Sequence, residues 1–405
     1  MASRRARHLP APGDRRPSRN DPPAPPAVGR EAPSHREPTL HRESPWSTFD
    51  ERRVASERFF VRSHYPVPEI DPRTWRLTLS GELQWPGRFG LAELDRRPQR
   101  SVVAVLECAG NGRSRFGRVV EGEVPWGEGA VGVAEWSGVP LREILHDAGV
   151  RPSAKEIVFE GADGGGGGVD RPITRFARSL PVGVALGSPD ILIATAMNGA
   201  PLDSEHGAPA RLIVPGWYGM ASVKWLSRIE ALDHPYRGPF QTEKYVFRHA
   251  QLGGGETVPV TRLRVKSIIV SPVAFTRVPV GEPVVLRGRA WSGSDAIAKV
   301  EVDVGDGWQP ARLLPSSSPY EWIAWSRIWV PRAPGPVEIA ARATDGAGYT
   351  QPDVPDLNDL QYGMNAVHRV PVEVVEVPRR EPDSEPPSPS GPRDAREAGR
   401  EHPAP

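Results

Sequence analysis

Short segments that alternate apolar and polar residues dominate the second half of the chain. After about residue 262 they recur at 284–290, 299–304, 322–329, 337–343 and 370–377. Alternation with a period of two, broken by Gly-Asp turns, is typical of strands that bury one face, and the helical period is missing from this region. The sequence therefore predicts a small β-sandwich over residues 262–377.

The first half of the chain has a more mixed pattern. Strand-like segments occur at 75–79, 102–106, 156–160, 190–196 and 211–214. Between them, Leu141, Ile144, Leu145 and Ala148 follow helical spacing, and Gly149 is a suitable residue to end a helix. Strands and helices do not alternate regularly, so we expect a β-rich α+β domain over residues 45–250.

Composition sets the ends of these domains and excludes several functions. Residues 1–44 and 378–405 are rich in Pro, Arg, Glu, Ser and Asp, which predicts disordered tails, and the glycine-rich residues 251–261 predict a linker. The 51 basic residues nearly balance the 50 acidic ones, which disfavours binding to nucleic acid or to an anionic membrane surface. Apolar runs stay well below the roughly 20 residues that span a bilayer. The start resembles no secretory signal, so we expect a cytoplasmic protein.

A single cysteine, Cys108, stands where a buried strand gives way to a glycine-rich loop. It excludes an intramolecular disulfide, and Arg113 and Arg115 follow it closely. Loop amides and guanidinium groups favour the thiolate, the form that binds a soft metal or attacks an electrophile. The local residues also allow Cys108 to be a small buried hydrophobic residue, as most free cysteines are.

Several short motifs together resemble the sulfite oxidase family. Cys-Ala-Gly-Asn at 108–111, followed by Arg113, resembles the loop that supplies the molybdenum ligand in that family. Other similar segments follow in family order: Phe-Phe-Val-Arg-Ser-His at 59–64, Phe-Glu-Gly-Ala-Asp at 159–163, Met-Asn-Gly at 197–199, His-Gly-Ala-Pro-Ala-Arg at 206–211, Val-Lys-Trp-Leu at 223–226 and Gly-Met-Asn at 363–365. The resemblance covers roughly residues 45–375 and depends on the shared order of many motifs.

The resemblance implies a molybdenum–molybdopterin cofactor and assigns its contacts. Cys108 is the implied metal ligand, and the implied contacts to the pterin and its phosphate are Arg62, His64, Asp163, His206, Arg211 and Lys224. Tyr245 matches the family's active-site tyrosine, and Arg62 and Arg113 match arginines of its anion pocket. Basic side chains suit a buried phosphate, because it needs charge-assisted donors. Taken singly, each of these residues could equally be structural.

The chain departs from the family pattern at a few positions. Ser63 replaces the usual Asn, and Lys244 replaces the acid before the tyrosine. In the second half, sulfite-oxidising members carry an arginine that reaches the substrate pocket, whereas this chain has Ser294 and Asp295 in that region. The loss of a positive charge there is expected to weaken sulfite binding.

The glycine run at 161–168 resembles a dinucleotide-binding fingerprint only superficially. It lacks the strand-turn-helix context and the acidic residue about 20 positions later, so we expect a flexible loop beside the cofactor. Walker A, His-Glu-x-x-His and Cys-x-x-Cys motifs are also missing from the sequence.

The resemblance implies an α+β molybdopterin-binding domain followed by an immunoglobulin-like dimerisation domain, and hence a homodimer. The implied activity is oxygen atom transfer to sulfite or another small anionic substrate, with electrons passed to a separate one-electron acceptor. Two alternatives stay open. The same cofactor could serve another substrate, as in sulfoxide reduction, or the fold could be a binding protein without the cofactor.

Overall fold

A computed structural model describes residues 40–168, 171–248 and 257–376. The predicted disordered tails lie outside these residues, except for residues 40–44. Most of the predicted linker also lies outside them. The described part is mostly β with few helices. This confirms the β-rich character that the period-two segments predicted.

The strands of the first half are β1 to β14. Their bounds are His41–Arg42, Val61–Arg62, Arg76–Gly81, Gly87–Gly90, Arg100–Glu107, Val131–Pro140, Glu156–Gly168, Arg171–Pro181, Leu192–Met197, Ala200–Pro201, Arg211–Ile213, Leu226–Leu232, Val246–Phe247 and Val258–Pro259. The α-helices α1 to α4 are Leu91–Asp95, Leu141–Ala148, Val182–Gly187 and Pro239–Thr242. Short 3-10 helices are Trp46–Asp50, Ser56–Arg58, Arg113–Phe116 and Gly219–Ala221.

The strands of the second half are β15 to β23. Their bounds are Lys266–Ser271, Arg277–Pro279, Val284–Trp291, Ile297–Asp303, Gln309–Pro310, Arg312–Leu313, Ile323–Trp329, Gly335–Asp345 and His368–Val375. They form a four-stranded sheet in the order β15-β17-β21-β20 and a five-stranded sheet in the order β16-β23-β22-β18-β19. Neighbours pair antiparallel, apart from the parallel pair β16 and β23.

The first half contains two five-stranded sheets. One has the order β4-β3-β12-β7-β8, and the other has the order β10-β9-β6-β5 with β11 also pairing with β9. Strands β7 and β11 contain the predicted site residues Asp163 and Arg211, and β5 ends directly before Cys108. The sheets therefore fix backbone positions that lie far apart in the sequence.

The predicted helix between residues 139 and 149 is confirmed as α2. Leu141, Ile144, Leu145 and Ala148 are all buried on one face. Gly149 ends the helix with φ +65°, a left-handed conformation that glycine adopts without steric cost. The helical spacing in the sequence was therefore a reliable signal at this position.

The predicted flexible loop at the glycine run is wrong. Gly164, Gly165 and Gly166 belong to β7 and pair with Arg175, Thr174 and Ile173 of β8. A Cβ atom on Gly165 would lie 2.4 Å from the ring of Tyr65. Glycine is needed here because the strand passes close to that ring, and the pairing with β8 overrides the low strand propensity of glycine.

The last residues of the predicted N-terminal tail belong to the folded domain. Strand β1 pairs with β2, and the Glu43 carboxylate accepts hydrogen bonds from the backbone N–H groups of Gly127 and Gly129 at 2.6 and 2.9 Å. Local composition could not predict this, because the partners lie more than 80 positions away.

The hydrophobic core crosses between the two halves of the described chain. The larger cluster of buried residues includes the first-half sheets together with Ile268, Val270, Trp291 and Trp322 of the second half. A smaller cluster, which includes Trp325, fills the second half alone. Within the described residues, none of the helices has the length and apolar character needed to cross a membrane.

Candidate active site

Cys108 directly follows the last residue of β5. Its backbone N–H donates to the Ala130 carbonyl at 2.9 Å, and its carbonyl accepts from the Asn111 N–H at 2.9 Å, so the loop turns back tightly. The side chain is only 8% exposed, yet it lines a cavity. Its position therefore combines burial with access from one side.

The prediction that the surroundings of Cys108 lower the pKa of its thiol is wrong for the protein without a bound group. Burial raises this pKa, and the opposing effects of the Gly110 amide, Arg62 and Arg113 do not compensate. The sequence shows the cations but not how strongly the site is desolvated. A metal ion bound to the sulfur would displace the proton outright.

The cavity beside Cys108 encloses about 710 Å³, part of it open to solvent. Eight of the nine predicted site residues line it, and they come from β2, β7, β11 and loops of the first half. They are Arg62, His64, Cys108, Asp163, His206, Arg211, Lys224 and Tyr245. The ninth, Arg113, is not among the lining residues.

One end of the cavity is basic. Arg211 is buried and donates to the carbonyls of His206 and Ser222 at 2.9 and 3.0 Å. Lys224 donates to Ser63 Oγ at 2.8 Å and to the Glu205 carbonyl at 2.9 Å. Because these hydrogen-bond acceptors are neutral, they do not neutralise the positive charges of Arg211 and Lys224. Both charges can therefore attract a bound anion.

Desolvation shapes the protonation of this basic end. Burial lowers the pKa of Arg211 to about 9, and burial together with Arg211 lowers the pKa of Lys224 to about 7. Burial also lowers the pKa of His206, whose Nε2 donates to the Ser56 carbonyl at 2.8 Å. An anionic ligand would reverse these shifts, since it stabilises the charged forms.

Two polar atoms of the cavity lining have no hydrogen-bond partner within the described residues. They are Nε of Arg211, a donor, and Oδ1 of Asp163, an acceptor when ionised. Burial raises the pKa of Asp163 to about 7, against the opposing effect of Lys224. Buried polar groups normally have partners, so these orphaned atoms fit a polar, phosphate-bearing ligand that offers both donors and acceptors.

A chain of hydrogen bonds from Arg62 to Tyr245 forms another part of the cavity lining. Nη2 of Arg62 lies 3.3 Å from Nδ1 of His64, and Nε2 of His64 lies 2.6 Å from the Tyr245 oxygen. Burial, with Arg62 and Lys244, lowers the pKa of His64 to about 2, so its ring is neutral. A guanidinium only donates, so Nδ1 accepts and Nε2 carries the hydrogen. Nε2 then donates to Tyr245, and the Tyr245 hydroxyl hydrogen is free to point into the cavity.

Arg113 lies behind the Cys108 loop, and its donors are already engaged. Nη1 donates to the Val124 carbonyl at 2.7 Å and Nε to the Leu360 carbonyl at 3.2 Å, while Nη2 lies 3.3 Å from the Glu123 carboxylate. The same carboxylate pairs with Lys244 at 2.6 Å. The role of Arg113 in anion binding stays a prediction. The Glu123 carboxylate already pairs with its guanidinium and offsets its positive charge.

One residue that pairs with the site's cations, Glu123, was not predicted. Glu123 had no signal in the sequence, because its partners Arg113 and Lys244 are brought to it by the fold. The Ser63 hydroxyl accepts from Lys224, so the serine that departs from the family pattern still contacts the basic end. Asp295 lies in an exposed turn next to Gly346 and does not line the cavity.

Comparisons with known proteins identify relatives of this chain. Residues 64–240 match the model of the oxidoreductase molybdopterin binding domain, and residues 257–375 match the Mo-co oxidoreductase dimerisation domain. Sulfite oxidase of Gallus gallus is 34% identical over 365 residues, which cover 85% of this chain and 77% of the relative. Mitochondrial sulfite oxidase of Drosophila melanogaster is 35% identical over 350 residues, 79% of this chain and 59% of the relative.

A solved structure shares the fold over most of the chain. The sulfane dehydrogenase SoxCD from Paracoccus pantotrophus superposes with a TM-score of 0.71 at 28% sequence identity, covering 85% of this chain and 86% of that one. The first half and the second half are both included at this coverage. The chain is thus similar along its described length to enzymes whose names refer to two different sulfur substrates.

Proposed function

Because this chain belongs to the sulfite oxidase family of molybdopterin-dependent oxidoreductases, we propose that it oxidises sulfite or a related small sulfur oxyanion by oxygen atom transfer. The observation that carries the proposal is the position of the single cysteine. Cys108 lines a cavity whose other walls carry Arg62, His206, Arg211 and Lys224. A soft ligand beside a basic, partly enclosed surface suits a metal attached to an anionic organic group.

The cavity lining fits the molybdenum–molybdopterin cofactor of the family. Cys108 would hold the metal, and Arg211, Lys224 and His206 would hold the phosphate. Arg62, His64 and Asp163 would contact the pterin, with the orphaned Asp163 oxygen as an acceptor. When bound, the cofactor supplies the two-electron redox chemistry and the oxygen atom transfer.

The protein's own task at the substrate end is to bind and orient an anion. Arg62 contributes a guanidinium that lines the cavity, and its Nη1 is anchored on the Ser63 carbonyl. Tyr245 can direct its hydroxyl hydrogen into the same space, because His64 donates to its oxygen. Burial raises the pKa of Tyr245, which keeps the phenol protonated as a donor.

A second candidate substrate is a divalent, sulfane-type sulfur compound of lower negative charge. Two observations favour it: Arg113 is paired with Glu123, and no arginine of the described second half lines the cavity. The similarity to a sulfane dehydrogenase also supports this second candidate.

Sulfoxide reduction is less favoured, because the sulfoxide reductases of the family resemble only the first domain. A binding protein without the cofactor is less favoured because Cys108 and the basic end are both retained.

The second half is proposed to be an immunoglobulin-like sandwich that forms a homodimer. Its four-stranded and five-stranded sheets support the sandwich, and the match to a dimerisation domain supports self-association. The four-stranded sheet also exposes the directly paired Val285 and Ile328, which are 49% and 67% exposed. A second copy would cover such an apolar pair. We further propose a separate one-electron acceptor and a cytoplasmic location.

The test is sulfite-dependent reduction of an artificial one-electron acceptor such as ferricyanide. Wild-type protein should turn over, and Cys108→Ser should not, while its circular dichroism spectrum is unchanged. A parallel assay with a sulfane-type substrate separates the two candidates. Equal activity of wild type and Cys108→Ser would overturn the proposed function.

A further inference from the structure

A buried group of charges lies directly behind the Cys108 loop. Lys266 is 1% exposed, and its Nζ lies 3.2 Å from Oε1 of Glu107 and 2.9 Å from Oε2 of Glu128. The contact to Glu128 is an ion pair. Trp291 donates from its indole nitrogen to Oε2 of Glu107 at 2.9 Å. The Glu107 carboxylate is thus bound on both of its oxygens.

These groups join the two halves of the described chain. Glu107 is the last residue of β5 and precedes Cys108 directly. Lys266 and Trp291 belong to β15 and β17 of the second half, where they face each other in register. Because Glu107 is adjacent to the thiol, any restraint on its side chain restrains the backbone that carries the sulfur.

The loop itself is tied into the same group. Asn111 donates to Oε1 of Glu107 at 2.9 Å and accepts from the Ala130 N–H at 3.0 Å. From the second half, the Gly363 N–H donates to the Ala109 carbonyl at 2.8 Å. Residues 107–111 are therefore restrained through both side-chain and backbone hydrogen bonds. Some of the partners belong to the first half of the chain and others to the second half.

A stability role explains this arrangement poorly. Burying an ion pair costs about as much desolvation as it returns, so such pairs are weak contributors to folding. Glu107, Lys266 and Trp291 are also not among the residues that line the cavity. Fixing a geometry is the better-supported use of a buried carboxylate that, like Glu107, has partners on both oxygens.

We propose that Lys266 and Trp291 are positioning residues that hold the Cys108 loop through the Glu107 carboxylate, so that the second half completes the cysteine site as well as mediating association. The inference concerns how the thiol is held, and its significance for catalysis rests on the proposed function. Both residues act through Glu107, and neither lines the cavity.

The chain offers a matched pair of tryptophans for the test. Trp322 is buried in the same core, with its ring centroid 6.3 Å from that of Trp291, and its indole N–H has no hydrogen-bond partner in the described residues. Trp291→Phe and Trp322→Phe therefore remove the same atoms from the same core. Only the first removes a donor to Glu107.

The readout is the reaction of iodoacetamide with the full chain prepared without cofactor. Cys108 is the only cysteine in the sequence, so the rate reports on that thiol alone. Trp291→Phe should raise the rate about tenfold, because losing about 1.4 kcal/mol of restraint makes open loop states ten times more frequent. Trp322→Phe should match the wild type within about twofold, although both variants lose thermal stability.

If Trp291→Phe fails to fold, a double variant gives the same test. Lys266→Met with Glu107→Gln removes both buried charges and leaves Glu128 paired with Arg115, which lies 3.0 Å away. It should also raise the alkylation rate. Rates equal to the wild type, or equal increases in Trp291→Phe and Trp322→Phe, would overturn the inference.

The cofactor-loaded protein separates this inference from the proposed function. Trp291→Phe should lower the molybdenum content or shift the visible absorption band of the protein, whereas Trp322→Phe should do neither. Wild-type protein that carries no molybdenum would contradict the proposed function. The positioning role of Lys266 and Trp291 would still be tested by the alkylation rates.

Discussion

His64 donates from Nε2 to the phenol oxygen of Tyr245 across 2.6 Å. Tyr245 holds this position with a left-handed backbone, φ +52°, which is costly for a residue other than glycine. Such strain persists where the surrounding structure enforces it. Here the ring of Tyr362 stacks on Tyr245 at 5.3 Å between centroids, and the Val260 N–H donates to the Tyr245 carbonyl at 2.8 Å.

Tyr245→Phe tests whether the hydroxyl directed into the cavity acts on the reacting group. We expect kcat to fall about 100-fold, the cost typical of losing one preorganised donor, with a smaller change in KM. Steady-state kinetics with sulfite measure the effect. Tyr362→Phe keeps the ring stack and serves as the control, with kcat near the wild-type value. An unchanged kcat in Tyr245→Phe would remove the tyrosine from the reaction.

Glu123→Gln tests whether this carboxylate weakens the attraction for anions. It pairs with Arg113 and Lys244, and its charge helps raise the pKa of Tyr245, after burial and Cys108. Removing the charge should lower the KM for sulfite on the order of tenfold, or about 1.4 kcal/mol. The effect should shrink at high ionic strength because salt screens it.

The neighbouring Glu121 gives the control for this charge, because its side chain is exposed. Glu121→Gln removes the same unit of charge and should leave the KM for sulfite unchanged. A KM that is equal in the Glu121 and Glu123 variants would show that Glu123 has no special influence on the anion pocket.

The lowered pKa of Lys224 predicts how the stability of the cofactor-free protein depends on pH. Burial and Arg211 lower this pKa from 10.5 to about 7, so between pH 7 and 10.5 the unfolded chain binds a proton that the folded chain does not. Stability should therefore rise with pH across this window. Each unit of pKa shift corresponds to roughly 1.4 kcal/mol, reduced here because the ammonium borders the cavity and water screens it.

Lys224→Met should remove this dependence. The variant is expected to be more stable than the wild type at pH 6, and the difference should narrow as the pH rises from 7 to 10. Chemical denaturation at several pH values measures it, with the exposed Lys155→Met as the control. A difference that is constant with pH would mean that Lys224 titrates normally in the folded protein.

Ile328→Lys tests the proposed dimer. Ile328 pairs with Val285 on the exposed face of the four-stranded sheet, and a charge in the centre of an apolar contact should prevent association. Analytical ultracentrifugation should find a dimer for the wild type and a monomer for the variant. Val354→Lys, at a 73% exposed position outside this sheet, is the control and should stay dimeric. A wild-type monomer, or a dimeric Ile328→Lys, would contradict the proposed interface.

Patterns of local periodicity predicted most of the regular structure. The alternation at 284–290 corresponds to β17, and the helical spacing ended by Gly149 corresponds to α2. The glycine run was misjudged because the close approach of Tyr65 to Gly165 is a tertiary contact. Local composition carries no information about such a neighbour.

The site was predicted in its membership more completely than in its electrostatics. The family motifs bring Cys108, Arg211 and Lys224 to one cavity, as the resemblance implied. The pairing of Arg113 with Glu123 depends on how the loop folds back, and the raised pKa of the Cys108 thiol depends on burial. Both effects belong to the three-dimensional arrangement, so motif order could not reveal them.

The proposed function depends on the sulfur of Cys108 holding molybdenum within the basic cavity. Molybdenum K-edge X-ray absorption of the purified wild type and of Cys108→Ser tests it most directly, because the measurement counts the sulfur neighbours of the metal. We expect molybdenum in the wild type and one fewer sulfur neighbour in Cys108→Ser. A wild-type protein without molybdenum, or an equal sulfur count in both proteins, would contradict it.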